Sequence, residues 1–367
     1  MSPASGISFA AKLERLPHYE GGMDLERARR TYEADDVIKL ASNESPWGPH
    51  PAVLEAVTRA AAGANRYPDQ YAALLRGRIA DRFDRDPGGI AVSNGSCEIL
   101  LAAALALCEP GAELLYAWPS FSMYPQLAPL AGAREVRVPL NEAYEHDLDA
   151  MATEITAATQ LVLVCNPNNP TGTCLPPERI GSFLERVPSH VTVIVDEAYV
   201  EMQTLDHPDA TVDLLDRFHN LVLLRTFSKV YGLAGLRCGY ALGSARFRAA
   251  VDAVRQPFSV NLLSQAAGAE AILHADDVTD RVEKTVAERI GMEEELHELG
   301  LRTAQTQANF SWIDLGERDE AAIVEGLGRA GVIVRPGTPL GGPGHIRVSF
   351  GTARENQRFM DSLGPLL

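Results

Sequence analysis

Short apolar runs alternate with amphipathic stretches through the middle of the chain. The runs that predict buried strands are residues 90–92, 113–116, 161–165, 191–195, 221–224 and 240–242, and a helix is expected from about Ser96 to Cys108. Strands that alternate with helices favour a largely parallel sheet sandwiched by helices. The pattern therefore predicts an α/β domain.

The pattern changes after about Ser259. Long helices with interspersed charges follow, such as residues 282–299, and short strands are expected around 332–334 and 346–348. Charges spread along a helix indicate a solvated face. We predict a large domain over residues 41–265, and a smaller α+β domain formed by 266–367 together with an N-terminal arm, residues 1–40.

Length and composition agree with this division and limit the partners. With 367 residues and 39.7 kDa, the chain exceeds one ordinary core. The net charge of −16 and the pI near 5.0 argue against nucleic acid and anionic membranes, because both attract basic patches. Local arginines must therefore bind any anionic substrate.

The sequence also favours a cytoplasmic protein without a metal. No apolar run approaches the roughly 20 residues that span a bilayer, and the first residues lack the charged and apolar regions of a signal peptide. The cysteines form no CxxC pair, and the histidines, including His146 and His345, show no metal-ligand spacing. We expect neither disulfides nor a metal site.

Polar residues follow three of the predicted strands. Asn169 follows run 161–165 in a proline-rich turn, Asp196 and Tyr199 follow run 191–195, and run 221–224 leads to Lys229 and Arg237. Ligands usually bind at the carboxyl edge of such a sheet, and a desolvated lysine forms Schiff bases. An acid, a lysine and polar groups together suit pyridoxal phosphate. The alternative for Lys229 alone is an ordinary surface lysine, and the alternative for Asn169 alone is an ordinary turn residue.

A predicted helix that opens at Gly95 and Ser96 supplies an anion site. Free amides at a helix N-terminus, with the positive end of its dipole, bind phosphate groups. We predict that the cofactor phosphate is bound by Gly95, Ser96, Cys97, Ser228 and Arg237. The alternative is an ordinary N-cap serine at Ser96.

An ordered set of runs covers nearly the whole chain and resembles the fold-type I pyridoxal-phosphate aminotransferases, most closely the histidinol-phosphate aminotransferases. The runs are 40–46, 65–69, 94–98, 119–124, 166–172, 196–199, 225–237, 256–261, 334–337 and 346–351. The resemblance implies an aspartate aminotransferase-like fold. It also implies transamination between histidinol phosphate and 2-oxoglutarate, giving imidazole-acetol phosphate and glutamate, in histidine biosynthesis.

The resemblance implies a role for each cofactor residue. Lys229 would bind the aldehyde and move the proton from the substrate Cα, and Asp196 would keep the ring nitrogen protonated. Asn169 and Tyr199 would bond the phenolic oxygen. Phe121 would stack on the ring. A tyrosine at the position of Tyr67 reaches the cofactor phosphate of the neighbouring subunit in this family, which implies a homodimer.

Three further residues are expected to bind the substrate. Arg347 matches the arginine that takes an α-carboxylate through a bidentate pair. Arg335 matches a second arginine, placed for the phosphate of histidinol phosphate or the second carboxylate of glutamate. Asn43 completes this set. A strand arginine with its head in water is the alternative for both arginines.

Other functions stay open at the level of sequence. Cys97 stands where the family commonly has an acidic residue, and Arg335 also occurs in relatives that act on aromatic amino acids. A phenylalanine-type aminotransferase is therefore an alternative, as is a fold-type I C–S lyase, which would not need 2-oxoglutarate. A pyridoxal-phosphate regulator would need a helix-turn-helix domain that the residues before Leu40 are too few to form. A hydrolase would need a serine motif that is not found.

Overall fold

The computed structural model describes residues 7–18 and 21–367, so part of the predicted N-terminal arm, residues 1–6 and 19–20, lies outside the described residues. Its strands are β1 (Ile38–Lys39), β2 (Ile90–Ser93), β3 (Glu113–Trp118), β4 (Arg134–Pro139), β5 (Thr159–Cys165), β6 (Thr192–Asp196), β7 (Leu221–Thr226), β8 (Gly239–Leu242), β9 (Arg302–Thr303), β10 (Phe310–Asp314), β11 (Val332–Ile333), β12 (Arg335–Pro336) and β13 (His345–Ser349).

The α-helices fall between these strands and beyond them. They are α1 (Leu25–Tyr32), α2 (Pro51–Ala61), α3 (Ala73–Phe83), α4 (Ser96–Leu107), α5 (Tyr124–Ala131), α6 (Leu148–Thr153), α7 (Pro177–Leu184), α8 (Ala245–Val254), α9 (Leu262–Ala271), α10 (Ala275–Glu298), α11 (Glu320–Arg329) and α12 (Ala353–Leu363). Among the described residues, no helix is both long enough and apolar enough to cross a membrane.

A seven-stranded sheet in the order β2-β8-β7-β6-β5-β3-β4 forms the centre of the molecule. Its strands run parallel except β8, which is antiparallel to both of its neighbours. Side chains alternate between two apolar layers, so that Val193 and Val195 pack on one face and Ile194 on the other. Helices α3, α7 and α9 cover the first face, and α4, α5 and α8 cover the second. The predicted, largely parallel sheet with helices on both faces is confirmed.

A second, four-stranded sheet in the order β12-β13-β10-β9 lies in the C-terminal part of the chain, and β1 pairs with β11. Ile313, Ile346 and Val348 of this sheet pack against Leu296 and Phe359 in a separate core. The sequence patterns predicted the segments around β11 and β13 but missed β9 and β10, and α10 begins seven residues before the predicted 282. The exact domain boundaries stay a prediction.

Candidate active site

The carboxyl ends of β5, β6 and β7 open into a cavity of about 420 Å³. Because these strands are parallel neighbours, the residues that end them meet at one edge of the sheet. The residues that the sequence predicted and that line the cavity are Asn43, Ser96, Cys97, Phe121, Asn169, Asp196, Tyr199, Ser228, Lys229, Arg237, Arg335 and Arg347. Gly95 and Tyr67 do not line it.

Lys229 follows β7 by three residues and places its amine inside the cavity. Its Nζ donates a hydrogen bond to the carbonyl of Ser42 over 3.3 Å and lies 5.3 Å from the centre of the Tyr199 ring. Burial, and then the charge of Arg347, lower the pKa of Lys229 to about 8, although Glu44 acts in the opposite direction. A lysine with such a pKa supplies neutral amine near neutral pH, as a nucleophile requires.

Asp196, the last residue of β6, is a buried carboxylate with one oxygen unsatisfied. It is 2 % exposed, and its Oδ2 accepts a hydrogen bond from the hydroxyl of Tyr124 over 3.0 Å. Its Oδ1 is buried without a hydrogen-bond partner in the described part of the chain. Burial raises the pKa of Asp196 to about 6. An orphaned carboxylate oxygen is costly, so the site is built for a donor that enters the cavity.

Tyr199 is held by a short network at the end of β6. Its hydroxyl accepts a hydrogen bond from Asn43 Nδ2 over 3.0 Å, and Asn43 Oδ1 accepts from Ser349 Oγ over 3.1 Å. The backbone of Asn43 adopts φ 53°, a left-handed conformation that asparagine tolerates better than most residues. Burial raises the pKa of Tyr199, so the phenol stays protonated. Both polar groups of the Asn43 side chain are thus engaged within the protein, and Asn43 orients Tyr199.

Two buried arginines face each other across neighbouring strands at the cavity. Arg335 in β12 and Arg347 in β13 occupy paired register positions and are 7 % and 6 % exposed. Arg347 donates to Asn169 Oδ1 and, over 2.8 Å, to the carbonyl of Ala41. Both guanidinium groups line the cavity, and guanidinium geometry suits the binding of carboxylate or phosphate groups.

The start of α4 presents free amides to the same cavity. Gly95 is the N-cap, with φ 76° and no side-chain cap, and Ser96 is the first helical residue, so the alternative of an N-cap serine at Ser96 is wrong. Gly239 of β8 lies beside this start, and a Cβ there would come within 2.4 Å of the Ser96 amide nitrogen. A side chain at Gly95 would overlap the guanidinium of Arg237. The close approach thus requires glycine at both positions.

Two side chains complete this anion-binding end. Arg237 Nη1 donates to Ser228 Oγ over 3.4 Å, and Thr226 Oγ1 donates to the same oxygen over 3.0 Å. Burial raises the pKa of Cys97, so its thiol is uncharged. Amides, a hydroxyl and a guanidinium together form a phosphate-binding set.

Phe121 and Tyr67 take different positions. Phe121 lines the cavity, and its ring meets that of Tyr124 edge-on at 5.7 Å. Tyr67 is 82 % exposed outside the cavity and stacks on Phe258, with ring centres 4.7 Å apart. The predicted reach of Tyr67 into the site of a second subunit stays a prediction.

Three residues at or beside the cavity had no role predicted from the sequence. Tyr124, in run 119–124, does not line the cavity but donates the hydrogen bond to Asp196. Glu44, which lines the cavity, forms a salt bridge with Lys39 at 2.9 Å. Thr226 orients Ser228. All three lie within the runs that carry the resemblance, and Glu44 and Thr226 have partners nearby in the sequence, whereas the partner of Tyr124 lies 72 positions away.

The donor set fits pyridoxal phosphate. The orphaned Asp196 oxygen suits a pyridinium N–H, the free amides at the start of α4 suit the phosphate, and the desolvated amine of Lys229 suits the aldehyde. One cofactor, pyridoxal phosphate, thus accounts for all three features.

Known proteins that resemble this chain agree with the geometry. Residues 35–363 match the family described as aminotransferase class I and II. An aromatic amino acid aminotransferase from Thermobifida fusca is 44% identical over 98% of this chain and 97% of its own length. A histidinol-phosphate aminotransferase from Geobacillus sp. (strain WCH70) is 39% identical over 98% of each chain. The crystal structure of histidinol-phosphate aminotransferase from Sinorhizobium meliloti in complex with pyridoxal-5'-phosphate superposes with a TM-score of 0.91 and 27% identity, covering 100% of this chain and 99% of that one.

Proposed function

The chain belongs to the class I and II aminotransferases and is a pyridoxal-phosphate-dependent enzyme, and from this premise we propose that it transfers the amino group of histidinol phosphate to 2-oxoglutarate. The products are imidazole-acetol phosphate and glutamate. The reaction belongs to histidine biosynthesis.

The pairing of Arg335 with Arg347 is the observation that carries this proposal. Both guanidiniums are buried at the cavity that holds Lys229. Histidinol phosphate brings a phosphate dianion, and glutamate brings two carboxylates, so each substrate supplies two negative charges. Phenylalanine supplies one carboxylate, which matches one of the two arginines.

The residues act on the reacting atoms as follows. When bound, pyridoxal phosphate supplies an aldehyde that carries the amino group and a ring that accepts the electron pair released at Cα. Lys229 would hold the aldehyde through its Nζ, and the same amine would move the Cα proton as a general base. Asp196 would accept the ring N–H, while Asn169 and Tyr199 would hydrogen-bond the phenolic oxygen.

The remaining residues bind and orient. Ser228, Arg237 and the amides of Ser96 and Cys97 would hold the phosphate, whereas the predicted Gly95 amide donates to the carbonyl of Ser93 over 2.8 Å. Phe121 would pack against the ring. Arg347 takes the α-carboxylate of glutamate, and Arg335 takes its second carboxylate or the phosphate of histidinol phosphate. Asn43 acts through the phenol of Tyr199.

We also propose a homodimer with shared sites. Tyr67 is 82 % exposed and stacks on Phe258, which is also exposed, and two exposed aromatic rings in contact form the kind of apolar surface that a subunit interface buries. Its hydroxyl would bind the cofactor phosphate of the partner subunit. The cytoplasmic location expected from the sequence stays a prediction.

An aromatic amino acid aminotransferase is the second candidate. The 44% identical relative carries that name, whereas the histidinol-phosphate aminotransferase from Geobacillus is 39% identical. Phe121 and Leu340 give the cavity apolar surface that could receive an aromatic side chain.

A comparison of substrates tests the proposal. The purified holoenzyme is mixed in single-turnover experiments with histidinol phosphate, phenylalanine or glutamate, and the change in cofactor absorbance is followed. We expect fast conversion by histidinol phosphate and glutamate and slow conversion by phenylalanine. Faster conversion by phenylalanine would establish the second candidate, and release of ammonia without 2-oxoglutarate would indicate a lyase.

A further inference from the structure

A carboxylate in α8, that of Asp252, is largely shielded from solvent and accepts hydrogen bonds from three guanidinium groups. Asp252 accepts hydrogen bonds from Arg76 at 2.7 and 2.9 Å, from Arg248 at 2.8 Å and from Arg255 at 2.9 Å. Burial alone would raise the pKa of Asp252, but the hydrogen bonds from these arginines outweigh it and hold the pKa below its ordinary value. Asp252 is therefore a fixed anion that anchors Arg255.

From this anchor, Arg255 reaches two loops. Its Nη2 donates to the carbonyl of Gln70 over 2.6 Å, and its Nη1 donates to Ser259 Oγ over 3.2 Å. Gln70 belongs to the segment between α2 and α3, residues 62–72, here called the Tyr67 loop. Ser259 belongs to the segment between α8 and α9, residues 255–261, here called the Phe258 loop. One planar guanidinium thus holds the two loops at a fixed distance.

Two other contacts hold the same loops together. The rings of Tyr67 and Phe258 stack, and Gln265 Nε2 donates to the carbonyls of Asp69 at 2.8 Å and Val260 at 2.9 Å. Phe258 adopts φ 57°, a conformation that a bulky residue keeps only when its surroundings enforce it. The surface position of Tyr67 is therefore set by hydrogen bonds to its loop as well as by the stacking of its own ring.

Ser259 extends this arrangement to the start of α4. Its hydroxyl donates to Glu98 Oε2 over 2.9 Å, and the same oxygen accepts the amide of Asn94 over 2.7 Å. Asn94 lies two residues before Ser96, and Ser96 and Cys97 both line the cavity. Neither Ser259 nor Glu98 lines the cavity.

We propose that Arg255 and Ser259 are positioning residues for cofactor binding, which hold Tyr67 in register with the phosphate-binding start of α4 in the same subunit. This inference rests on the proposed dimer, in which Tyr67 serves the partner's cofactor. In that dimer, each subunit ties the amides of its own phosphate site to the tyrosine that it lends to the other site. The ligand concerned is the phosphate of pyridoxal phosphate.

A double-mutant cycle tests this role. The dissociation constant of pyridoxal phosphate is measured for the wild type, Ser259→Ala, Tyr67→Phe and the double variant. If Ser259 acts through Tyr67, Ser259→Ala weakens binding about threefold to tenfold, and the double variant binds about as weakly as Tyr67→Phe alone, because coupled residues are not additive. Ser259→Thr, which keeps the hydroxyl, restores wild-type binding. Ser362→Ala removes a serine hydroxyl bonded to a backbone carbonyl in α12 and serves as the matched control.

The outcomes separate this inference from the proposal on which it rests. Losses that multiply in the double variant overturn the positioning role and leave the shared site intact. Unchanged binding in Tyr67→Phe overturns the shared site itself, and with it any action of Ser259 through Tyr67. Arg255→Lys, which keeps the charge near Asp252 but loses the fork that reaches both loops, repeats the cycle without altering Ser259. It is expected to show the same lack of additivity.

Discussion

The hydroxyl of Tyr124 donates a hydrogen bond to Asp196 Oδ2 over 3.0 Å, and both side chains are buried. Tyr124 thus satisfies one carboxylate oxygen and leaves Oδ1 for a ligand. A hydrogen bond to the charged form favours ionisation, in opposition to burial, which raises the pKa of Asp196 to about 6. The tyrosine therefore helps to keep this acid ionised at neutral pH.

Removal of that hydrogen bond should shift the pH dependence of cofactor binding. In Tyr124→Phe, the pKa of Asp196 rises further, so the ionised acid is lost at a higher pH than in the wild type. Near neutral pH we expect the cofactor-free protein to bind pyridoxal phosphate about tenfold more weakly. Binding titrations from about pH 5 to 9 measure the shift. Tyr116→Phe, a buried tyrosine bonded to Glu135, is the control. An identical pH profile for both variants would refute the role of Tyr124.

The raised pKa of Asp196 also predicts a cost in stability. The folded-state pKa near 6 lies above the ordinary 3.8, so ionisation of Asp196 destabilises the cofactor-free protein above about pH 6 and has no effect below about pH 4. Asp196→Asn should therefore raise the free energy of unfolding by about 1–3 kcal/mol at pH 7 and abolish transamination. Urea unfolding at pH 7 and pH 4 measures the difference. The idea fails if the variant is less stable at pH 7, or if the difference persists at pH 4.

The pKa of Lys229 should control how fast the cofactor attaches. Only the neutral amine reacts with an aldehyde, so the rate of covalent attachment should rise with pH through about 8. Arg347→Gln removes a nearby cation, which should raise the pKa of Lys229 and move the midpoint to higher pH. Stopped-flow absorbance gives the rates, and Arg302→Gln, an exposed strand arginine paired with Asp314, is the control. A midpoint that stays near 8 in Arg347→Gln would show that Arg347 does not act on the amine.

Loss of Arg335 should separate the candidate substrates. Arg335→Leu removes the partner of the second negative charge, so kcat/KM for histidinol phosphate and for glutamate should fall by about 30-fold to 1,000-fold. For phenylalanine, which has no second charge, we expect a change of less than about threefold. Steady-state kinetics with the three donors measure the effect, with the exposed Arg329→Leu as control. Equal losses of kcat/KM for all three donors would mean that Arg335 does not bind the second negative charge.

The sequence predicted the parts of the site that depend on local order. Asp196, Asn169 and Lys229 each follow an apolar run, and a parallel sheet brings such positions to one edge whatever its other details. The helix that starts at Ser96 was also predicted from local order, because glycine followed by serine favours a helix N-terminus.

Contacts between distant residues could not be predicted in this way. The bond from Asn43 to Tyr199 spans 156 positions and the bond from Tyr124 to Asp196 spans 72. No local pattern encodes such pairs, because they depend on how the segment after β1, the strand ends and α5 pack together. Strand β10 was missed because Phe310–Asp314 is almost entirely buried, and a short buried run lacks the alternation that marks a half-buried strand.

The most direct measurement locates the cofactor on the chain. The holoenzyme is reduced with borohydride, digested and analysed by mass spectrometry, and the other lysines, Lys12, Lys39 and Lys284, provide internal controls. We predict the pyridoxyl group on Lys229 alone, and Lys229→Ala should retain pyridoxal phosphate without a covalent bond and lose turnover. A pyridoxyl group on another lysine, or full turnover by Lys229→Ala, would contradict the assignment of this cavity as the active site.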